Sequence, residues 1–379
     1  MSVGDGTFKQ VVTTLTATVS TFSTFGSIDA NGDGLTDSYH AYNNAGIMTF
    51  EVYLAQESGV FNQVVSTYSG MPTSFTFLGA MDINGDGKED IIQQWSNGAY
   101  ISFVSYISEG NGIFRTITIG TSITSTSALY IFPMDVDGDG RSDLVNVISS
   151  SSSVELVTFL SWGDGTFAMK ISAYPISTSN VKFVSMDVNN DGKKDLVQMA
   201  HLADGRTGIE TYVSNGDGTF AIYIDTLSGP TSTSSYTYSG SALNGDVSYG
   251  VKTSRKQKET PVVGIIEESS NKYYACYVSK GDGSYTYRNE THSVLSTSSY
   301  QSFMTTDLNG DGYSDVVKLL PSYTCCPNVY GLVLWSYLAQ DVCSFKTGVA
   351  SSFTLTNPAF SNFNYGSTSS TRIIVLKNC

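Results

Sequence analysis

The feature that most constrains the fold of this 379-residue chain is a nonapeptide that recurs along it at a regular interval. Its clearest copy, residues 82–90, carries carboxylate or amide oxygens at positions 1, 3, 5 and 9 and a glycine at position 6. The glycine permits a sharp turn, and the carbonyl of Lys88 at position 7 falls where a backbone ligand is expected. Hard oxygen donors at this spacing favour calcium. Four further copies begin at Asp29, Asp135, Asp187 and Asp307.

A second signature, the segment Gly-Asp-Gly-Thr-Phe, follows the same interval. It occurs at residues 4–8, 163–167 and 216–220, and looser copies occur at four other places. The closing aromatic residues are separated by 53, 53, 53, 53, 65 and 60 residues, and they are Phe8, Phe61, Phe114, Phe167, Phe220, Tyr285 and Phe345. Two signatures in a common period indicate a repeat array of seven units.

Each unit is expected to contain β-strands only. In the unit around residues 82–90, strands are predicted at 73–83, 90–95, 100–108 and 113–119, with a tight hairpin at 110–112. We find no helical period in the sequence. Four antiparallel strands in a unit of this length predict a propeller blade, because a solenoid uses shorter units.

The predicted fold is therefore all-β, a seven-bladed β-propeller of four-stranded antiparallel blades that occupies residues 1–379 as one domain. The expected blades span 20–68, 72–121, 125–173, 177–227, 233–291, 296–350, and 354–379 together with 1–13. The N- and C-terminal strands are expected to pair in the last blade, which removes a free sheet edge. The two ends together are shorter than one unit. This favours a piece cut from a longer parent, and a three-stranded last blade is the alternative.

Two units depart from the pattern and are expected to bind no metal. The fifth opens like a metal loop at 242–246 and then carries an insertion with four cations, Lys252, Arg255, Lys256 and Lys258. These cations either replace the calcium charge beside Asp246 or belong to a solvated surface loop. The seventh has Asn364, Tyr365 and Gly366 where acids are expected, followed by a strand at 372–376.

The acidity of the chain is mostly explained by the metal loops. The formal net charge is -14, and the five loops hold 16 aspartates among 34 acidic residues. Five calcium ions would bring the net charge to about -4. An acidic chain argues against nucleic acid and against anionic membrane surfaces, and no apolar run approaches a membrane span. The five cysteines are too few and too C-terminal for a disulfide framework.

The unit from Phe77 to Ile92, followed by its Gly-x-Gly hairpin, resembles the FG-GAP/VCBS repeats of the integrin α-subunit-like seven-bladed propeller. The resemblance covers nearly the whole chain and implies about five structural calcium ions, each in the loop between the first and second strands of a blade. The implied ligands, with the position-7 residue offering its carbonyl, are Asp29, Asn31, Asp33, Leu35 and Asp37; Asp82, Asn84, Asp86, Lys88 and Asp90; Asp135, Asp137, Asp139, Arg141 and Asp143; Asp187, Asn189, Asp191, Lys193 and Asp195; and Asp307, Asn309, Asp311, Tyr313 and Asp315. An EF-hand is excluded because it needs flanking helices and a glutamate at position 12.

The resemblance leaves the activity open, since relatives include adhesion receptors, fungal sugar-binding propellers and modules of toxin complexes. We expect an extracellular, secreted or cell-surface binding module, lectin-like or adhesive, that recognises a glycan or protein through the face opposite the calcium loops. The alternatives are a structural subunit of a surface assembly or toxin complex, possibly joined to further domains, and a scaffold domain of a larger enzyme. No catalytic residue, nucleic-acid contact or membrane insertion is predicted. Candidate ligand-binding residues are Trp95, His201, Asp204, Arg206, Tyr236 and Tyr323.

Overall fold

The computed structural model describes most of the chain but not all of it. The described residues are 5, 7, 23–96, 100–124, 130–149, 153–175, 182–201, 207–227, 241–242, 261–268, 271–290, 302–306, 315–323, 330–338, 348–355, 362–366 and 374–378. Within these ranges all regular structure is β, so they contain no helix that could cross a membrane.

The strands of the described ranges form six four-stranded antiparallel sheets and one two-stranded sheet. The first sheet holds β1 (Ser23–Ile28), β2 (Asp37–Asn44), β3 (Ile47–Ala55) and β4 (Phe61–Ser69). The second holds β5 (Phe75–Met81), β6 (Asp90–Ser96), β7 (Tyr100–Ser108) and β8 (Phe114–Thr124). The third holds β9 (Tyr130–Met134), β10 (Asp143–Ser149), β11 (Ser153–Ser161) and β12 (Phe167–Pro175).

The later sheets follow the same order of strands. The fourth holds β13 (Lys182–Met186), β14 (Asp195–His201), β15 (Thr207–Ser214) and β16 (Phe220–Leu227). The fifth holds β17 (Ser241–Ala242), β18 (Pro261–Glu268), β19 (Asn271–Ser279) and β20 (Tyr285–Glu290). The sixth holds β21 (Ser302–Thr306), β22 (Asp315–Tyr323), β23 (Tyr330–Tyr337) and β24 (Val349–Leu355), and the two-stranded sheet pairs β25 (Asn362–Gly366) with β26 (Ile374–Asn378).

The chain divides into two compact units. One comprises residues 10–135, 139–175 and 359–379, which include the first three sheets and the two-stranded sheet. The other comprises residues 1–9, 136–138 and 176–358, which include the fourth, fifth and sixth sheets.

Burial follows strand position within a sheet. In the first sheet β3 is buried along almost its whole length, whereas β4 alternates between partly buried and exposed residues. Phe50 of β3 packs against Tyr106 and Phe114 of the second sheet, with ring centroids 4.8 Å and 5.2 Å apart. Aromatic rings at these separations add to the free energy of burial. The third strand therefore joins neighbouring sheets, and the fourth lies at the solvent edge.

The strands predicted in the second unit of the sequence repeat are confirmed as β5, β6, β7 and β8. Two details near the C-terminus differ from the prediction. Strand β24 continues to Leu355, past the point where the seventh blade was expected to begin, and residues 364–366 lie inside β25 instead of forming a loop. The expected pairing of the chain ends falls on residues 1–4 and 8–13, which lie outside the described ranges.

Candidate metal centre

Each complete nonapeptide of the described residues connects the first and second strands of a sheet. In the second sheet, residues 82–90 lead from β5 into β6. Gly85 and Gly87, at positions 4 and 6, have φ angles of 75° and 82°, in the left-handed region that favours glycine. In the fourth sheet position 4 is Asn190, with φ 59°, and asparagine is among the residues that tolerate this region best. The turn therefore needs two left-handed residues, one more than the glycine at position 6 that the sequence predicted.

The first aspartate of each loop organises the turn. Asp82 accepts hydrogen bonds from the backbone N–H of Gly85 (2.7 Å) and Gly87 (2.9 Å). At positions 3 and 5 the Asn84 and Asp86 side chains accept from backbone N–H groups two residues later, at 3.0 Å and 2.9 Å. Backbone donors thus hold the side chains of positions 1, 3 and 5 in the concave side of the turn.

The last aspartate pins the loop to the rest of its sheet. Asp90 is fully buried, and its Oδ2 accepts from the N–H of Ile83 (2.9 Å) while Oδ1 accepts from the N–H of Ser108 (2.7 Å). Asp37 and Asp195 make the equivalent pairs of bonds. Burial raises the pKa of all three carboxyls to about 7, against the lowering effect of these hydrogen bonds. A nearby cation would favour the ionised form.

The third loop provides the most direct test of whether these residues fit a metal ion. Carboxylate oxygens of Asp135, Asp137 and Asp143 all lie within 4.8 Å of one another. Two oxygens bound to one calcium ion at about 2.4 Å are at most about 4.8 Å apart, so the three oxygens fit a single ion. All of these donors are hard oxygens, as calcium requires, and Asp139 and the carbonyl of Arg141 would complete the predicted set.

In three of the loops, the basic side chain at position 7 lies next to the aspartate at position 5. Lys88 Nζ is 2.5 Å from Asp86 Oδ2, Lys193 Nζ is 2.6 Å from Asp191 Oδ2, and Arg141 pairs with Asp139. Burial raises the pKa of Asp86, but hydrogen bonds from Lys88 outweigh it and bring the pKa below its ordinary value. The first loop has Leu35 at this position, so its Asp33 has no such neighbour within the loop.

A serine that was not predicted from the sequence links each of the four described metal loops to a strand of the following sheet. Ser161, the last residue of β11, donates through Oγ to the carbonyl of Ile83 (2.7 Å) and accepts from the N–H of Gly163 (3.1 Å). Equivalent bonds join Ser108 to Ala30, Ser214 to Val136 and Ser279 to Val188, at 2.6, 2.6 and 2.8 Å. We call these four residues the bridging serines. Their signal in the sequence is a serine two residues before each Gly-x-Gly hairpin.

Neighbouring loops also contact each other directly. The carbonyl of Asp29 accepts from the N–H of Glu89 (2.8 Å), and the N–H of Asp29 donates to Glu89 Oε2 (2.7 Å). The carbonyl of Asp82 likewise accepts from the N–H of Ser142 (2.6 Å). The first residue of one loop is therefore held by the eighth residue of the next.

Some of the other predicted site residues lie in described strands, and the rest lie outside the described ranges. In the fifth predicted loop, Asp307, Asn309, Asp311 and Tyr313 lie outside the described ranges, and Asp315 begins β22. His201 and Tyr323 are the last residues of the second strands β14 and β22, the ends away from the metal loops. Trp95 lies near the corresponding end of β6, but it is partly buried and packs against the core of the first two sheets. Asp204, Arg206 and Tyr236 lie outside the described ranges.

Residues 135–198 match the model of the FG-GAP-like repeat. No curated protein matches the chain. Solved structures with similarity include a Photorhabdus luminescens Tc holotoxin pore, at 15% identity and a TM-score of 0.45 over 83% of this chain and 16% of that one. The present chain therefore spans about a sixth of the toxin chain's length.

Two further similar structures are of a size closer to this chain. A mutant of AofleA from Arthrobotrys oligospora is 11% identical, with a TM-score of 0.41 over 88% of this chain and 90% of that one. The Nup133 β-propeller domain of Vanderwaltozyma polyspora is 9% identical, with a TM-score of 0.46 over 94% and 96%. Similarities at this level do not extend to function. The family match is the firmer result: an FG-GAP-like repeat occupies residues 135–198, and its nonapeptide recurs outside that segment.

Proposed function

We propose that this chain is a calcium-stabilised, seven-bladed β-propeller that serves as an extracellular binding module. The calcium assignment is supported chiefly by one observation: carboxylate oxygens of Asp135, Asp137 and Asp143 lie within 4.8 Å of one another. These residues belong to the segment that matches an FG-GAP-like repeat. The architecture is supported by the repeated four-stranded antiparallel sheets and by the constant period of the sequence. Loops that depend on abundant free calcium suit extracellular ion levels.

The proposed role of calcium is structural. When bound, the ion supplies positive charge to carboxylates that the fold buries or brings together. The protein's own residues orient those carboxylates: backbone N–H groups hold positions 1, 3 and 5, and Asp90 and its equivalents tie each loop to the third strand. Each ion would stabilise the folded state by about 2.7 kcal/mol when free calcium is a hundredfold above its dissociation constant.

Native mass spectrometry with matched variants tests this proposal. The wild-type protein should carry five calcium ions, one for each complete nonapeptide. Asp135→Asn, at position 1 of the third loop, where all five copies carry aspartate, should carry one fewer. Asp164→Asn is the control, because Asp164 is an exposed residue of the hairpin after β11 and its loss changes the formal charge equally. A wild-type count of zero or one, or an unchanged count in Asp135→Asn, would contradict the calcium assignment.

The blade count and closure are tested separately by hydrogen exchange. If residues 1–13 complete a seventh blade with residues 354–379, amides in residues 1–8 should exchange slowly, as those of β26 should, because both would be paired within one sheet. Rapid exchange throughout residues 1–8, alongside slow exchange in β26, would contradict a closure made by the chain ends.

We further propose that the partner, a glycan or a protein, binds on the side away from the calcium loops. The ends of β14 and β22 lie there, with His201 and Tyr323 as their last residues. A glycan array probed with calcium-loaded protein should give binding that His201→Ala or Tyr323→Ala weakens. Silence across the array, together with subunits that co-purify stably, would favour a structural role in a surface assembly or toxin complex. Hydrolytic activity in the same preparations would favour an enzyme scaffold.

A further inference from the structure

Glu89 occupies an unusual place between the first two metal loops. It is position 8 of the blade-two loop, residues 82–90, and it contacts position 1 of the blade-one loop, residues 29–37. Its side chain is buried, with 9% exposure, and its Oε2 accepts from the N–H of Asp29 at 2.7 Å. Its own N–H donates to the carbonyl of Asp29 at 2.8 Å. The peptide groups on both sides of Asp29 are therefore held by one residue of the next loop.

The other loops do not have this carboxylate. Position 8 is Thr36 in the first loop, Ser142 in the third and Lys194 in the fourth. Ser142 makes the backbone half of the contact, since its N–H donates to the carbonyl of Asp82 at 2.6 Å. Its short hydroxyl side chain adds no negative charge. The charged half of the contact is thus particular to the junction of the first and second loops among these four loops.

The position of the Glu89 carboxylate matters for any cation held by the blade-one loop. The Glu89 carboxylate lies against Asp29, the first predicted ligand of the blade-one loop, and Glu89 directly precedes Asp90, a predicted ligand of the blade-two loop. A further buried negative charge beside these ligands repels them and destabilises the metal-free loops. It attracts a bound cation, so it strengthens cation binding. The hydrogen bond to Asp29 also orders the first ligand residue before an ion arrives, which lowers the entropic cost of binding.

We propose that Glu89 is a positioning residue through which the blade-two loop strengthens calcium binding in the blade-one loop. The inference rests on the calcium-binding function proposed above. Glu89 precedes the predicted ligand Asp90, so an ion that orders the blade-two loop also fixes the atoms of Glu89 that hold Asp29. By reciprocity, an ion in the blade-one loop favours binding in the blade-two loop by the same factor.

The test compares Glu89→Gln with Glu57→Gln in calcium titrations followed by calorimetry and native mass spectrometry. Glutamine keeps an acceptor for the N–H of Asp29 but removes the charge. Glu57 lies in the hairpin between β3 and β4 and is exposed, so it serves as a charge-matched control. We expect Glu89→Gln to weaken one site about tenfold, within the usual range of coupling between sites, and Glu57→Gln to leave all sites unchanged.

A second background shows which site is affected. Asp33→Asn removes a predicted ligand of the blade-one loop, and in that background Glu89→Gln should cause little further loss of calcium affinity. A residue with a merely structural role would lower the melting temperature equally in chelator and in calcium, whereas a positioning residue lowers it more in calcium. Equal affinities in Glu89→Gln and Glu57→Gln would overturn the inference and leave the proposed function standing. A wild-type protein without calcium-dependent heat or mass would overturn both.

The reverse substitution keeps the inference testable even if Glu89→Gln does not fold. Ser142→Glu places a carboxylate at the same position of the third loop, where the backbone contact with Asp82 already exists. It should strengthen calcium binding in the blade-two loop by several-fold, and a titration without that gain would count against the role assigned to the carboxylate.

Discussion

Replacing Ser161 with alanine tests how strongly the bridging serines join neighbouring sheets. The side chain is almost fully buried, at 5% exposure, and its Oγ makes two hydrogen bonds, to the carbonyl of Ile83 and from the N–H of Gly163. A hydrogen bond of this kind contributes about 1 kcal/mol net, but a buried group left without a partner costs about 1–3 kcal/mol. Because Ser161→Ala leaves a carbonyl and an N–H unpaired, we expect a loss of about 2–4 kcal/mol.

The assay is urea-induced unfolding at saturating calcium, which keeps the metal contribution constant between variants. Ser69→Ala is the matched control, because Ser69 is an exposed residue at the end of the outer strand β4, and its loss should change the free energy of unfolding by less than about 0.5 kcal/mol. Ser108→Ala should behave like Ser161→Ala, since Ser108 makes the same pair of contacts. If both variants match the control, the serines do not join the sheets and the reasoning fails.

Three further predictions concern other buried groups. In chelator the protein should lose stability as pH rises from about 4 to 7, because Asp37, Asp90 and Asp195 have pKa values of about 7 when folded against an ordinary value of 3.8, so the folded state binds more protons. The slope is about 1.4 kcal/mol per pH unit for each carboxyl, and a melting temperature that rises over this window would contradict it. Gly26→Ala should cost about 1–3 kcal/mol, because its Cβ would lie 2.4 Å from the buried Tyr39 ring, whereas Gly120→Ala, which meets open space, should be nearly neutral by urea unfolding. His40→Ala should lower the free energy of unfolding by at least about 2 kcal/mol, because it removes the 3.0 Å contact of His40 with buried Glu51 and its stacking on the Phe25 ring. A variant that unfolds at the same urea concentration as the wild type would refute this.

The strands and the turn geometry of the loops could be predicted from the sequence because both depend on local spacing. Alternation of side chains predicted β5 to β8 closely, since every second residue of a strand points to the same face of the sheet. The glycine at position 6 predicted the turn at Gly87, since a left-handed φ excludes most other residues.

The links between sheets could not be predicted because their partners are far apart in the chain. Ser161 and Ile83 are separated by 78 residues, and Glu89 and Asp29 by 60. A serine before a hairpin and a glutamate in an acidic loop look ordinary without knowledge of the neighbouring sheet. The sequence also does not show that the partly buried Trp95 packs against the core of the first two sheets. Ligand contact by Trp95 stays a prediction.

The 78-residue separation between each of three bridging serines and its carbonyl has a consequence for synthesis on the ribosome. The carbonyl of Ile83 has no hydroxyl to accept from until Ser161 has been made. At about 5–20 residues per second, that delay is roughly 4–16 seconds. At each of these three links, a newly made sheet waits for its successor before its loop is complete, so the most recently made sheet is unfinished while the next one is synthesised. A pause in translation within β11 would prolong the exposure of the preceding loop, and with it the interval in which that sheet is open to misassembly.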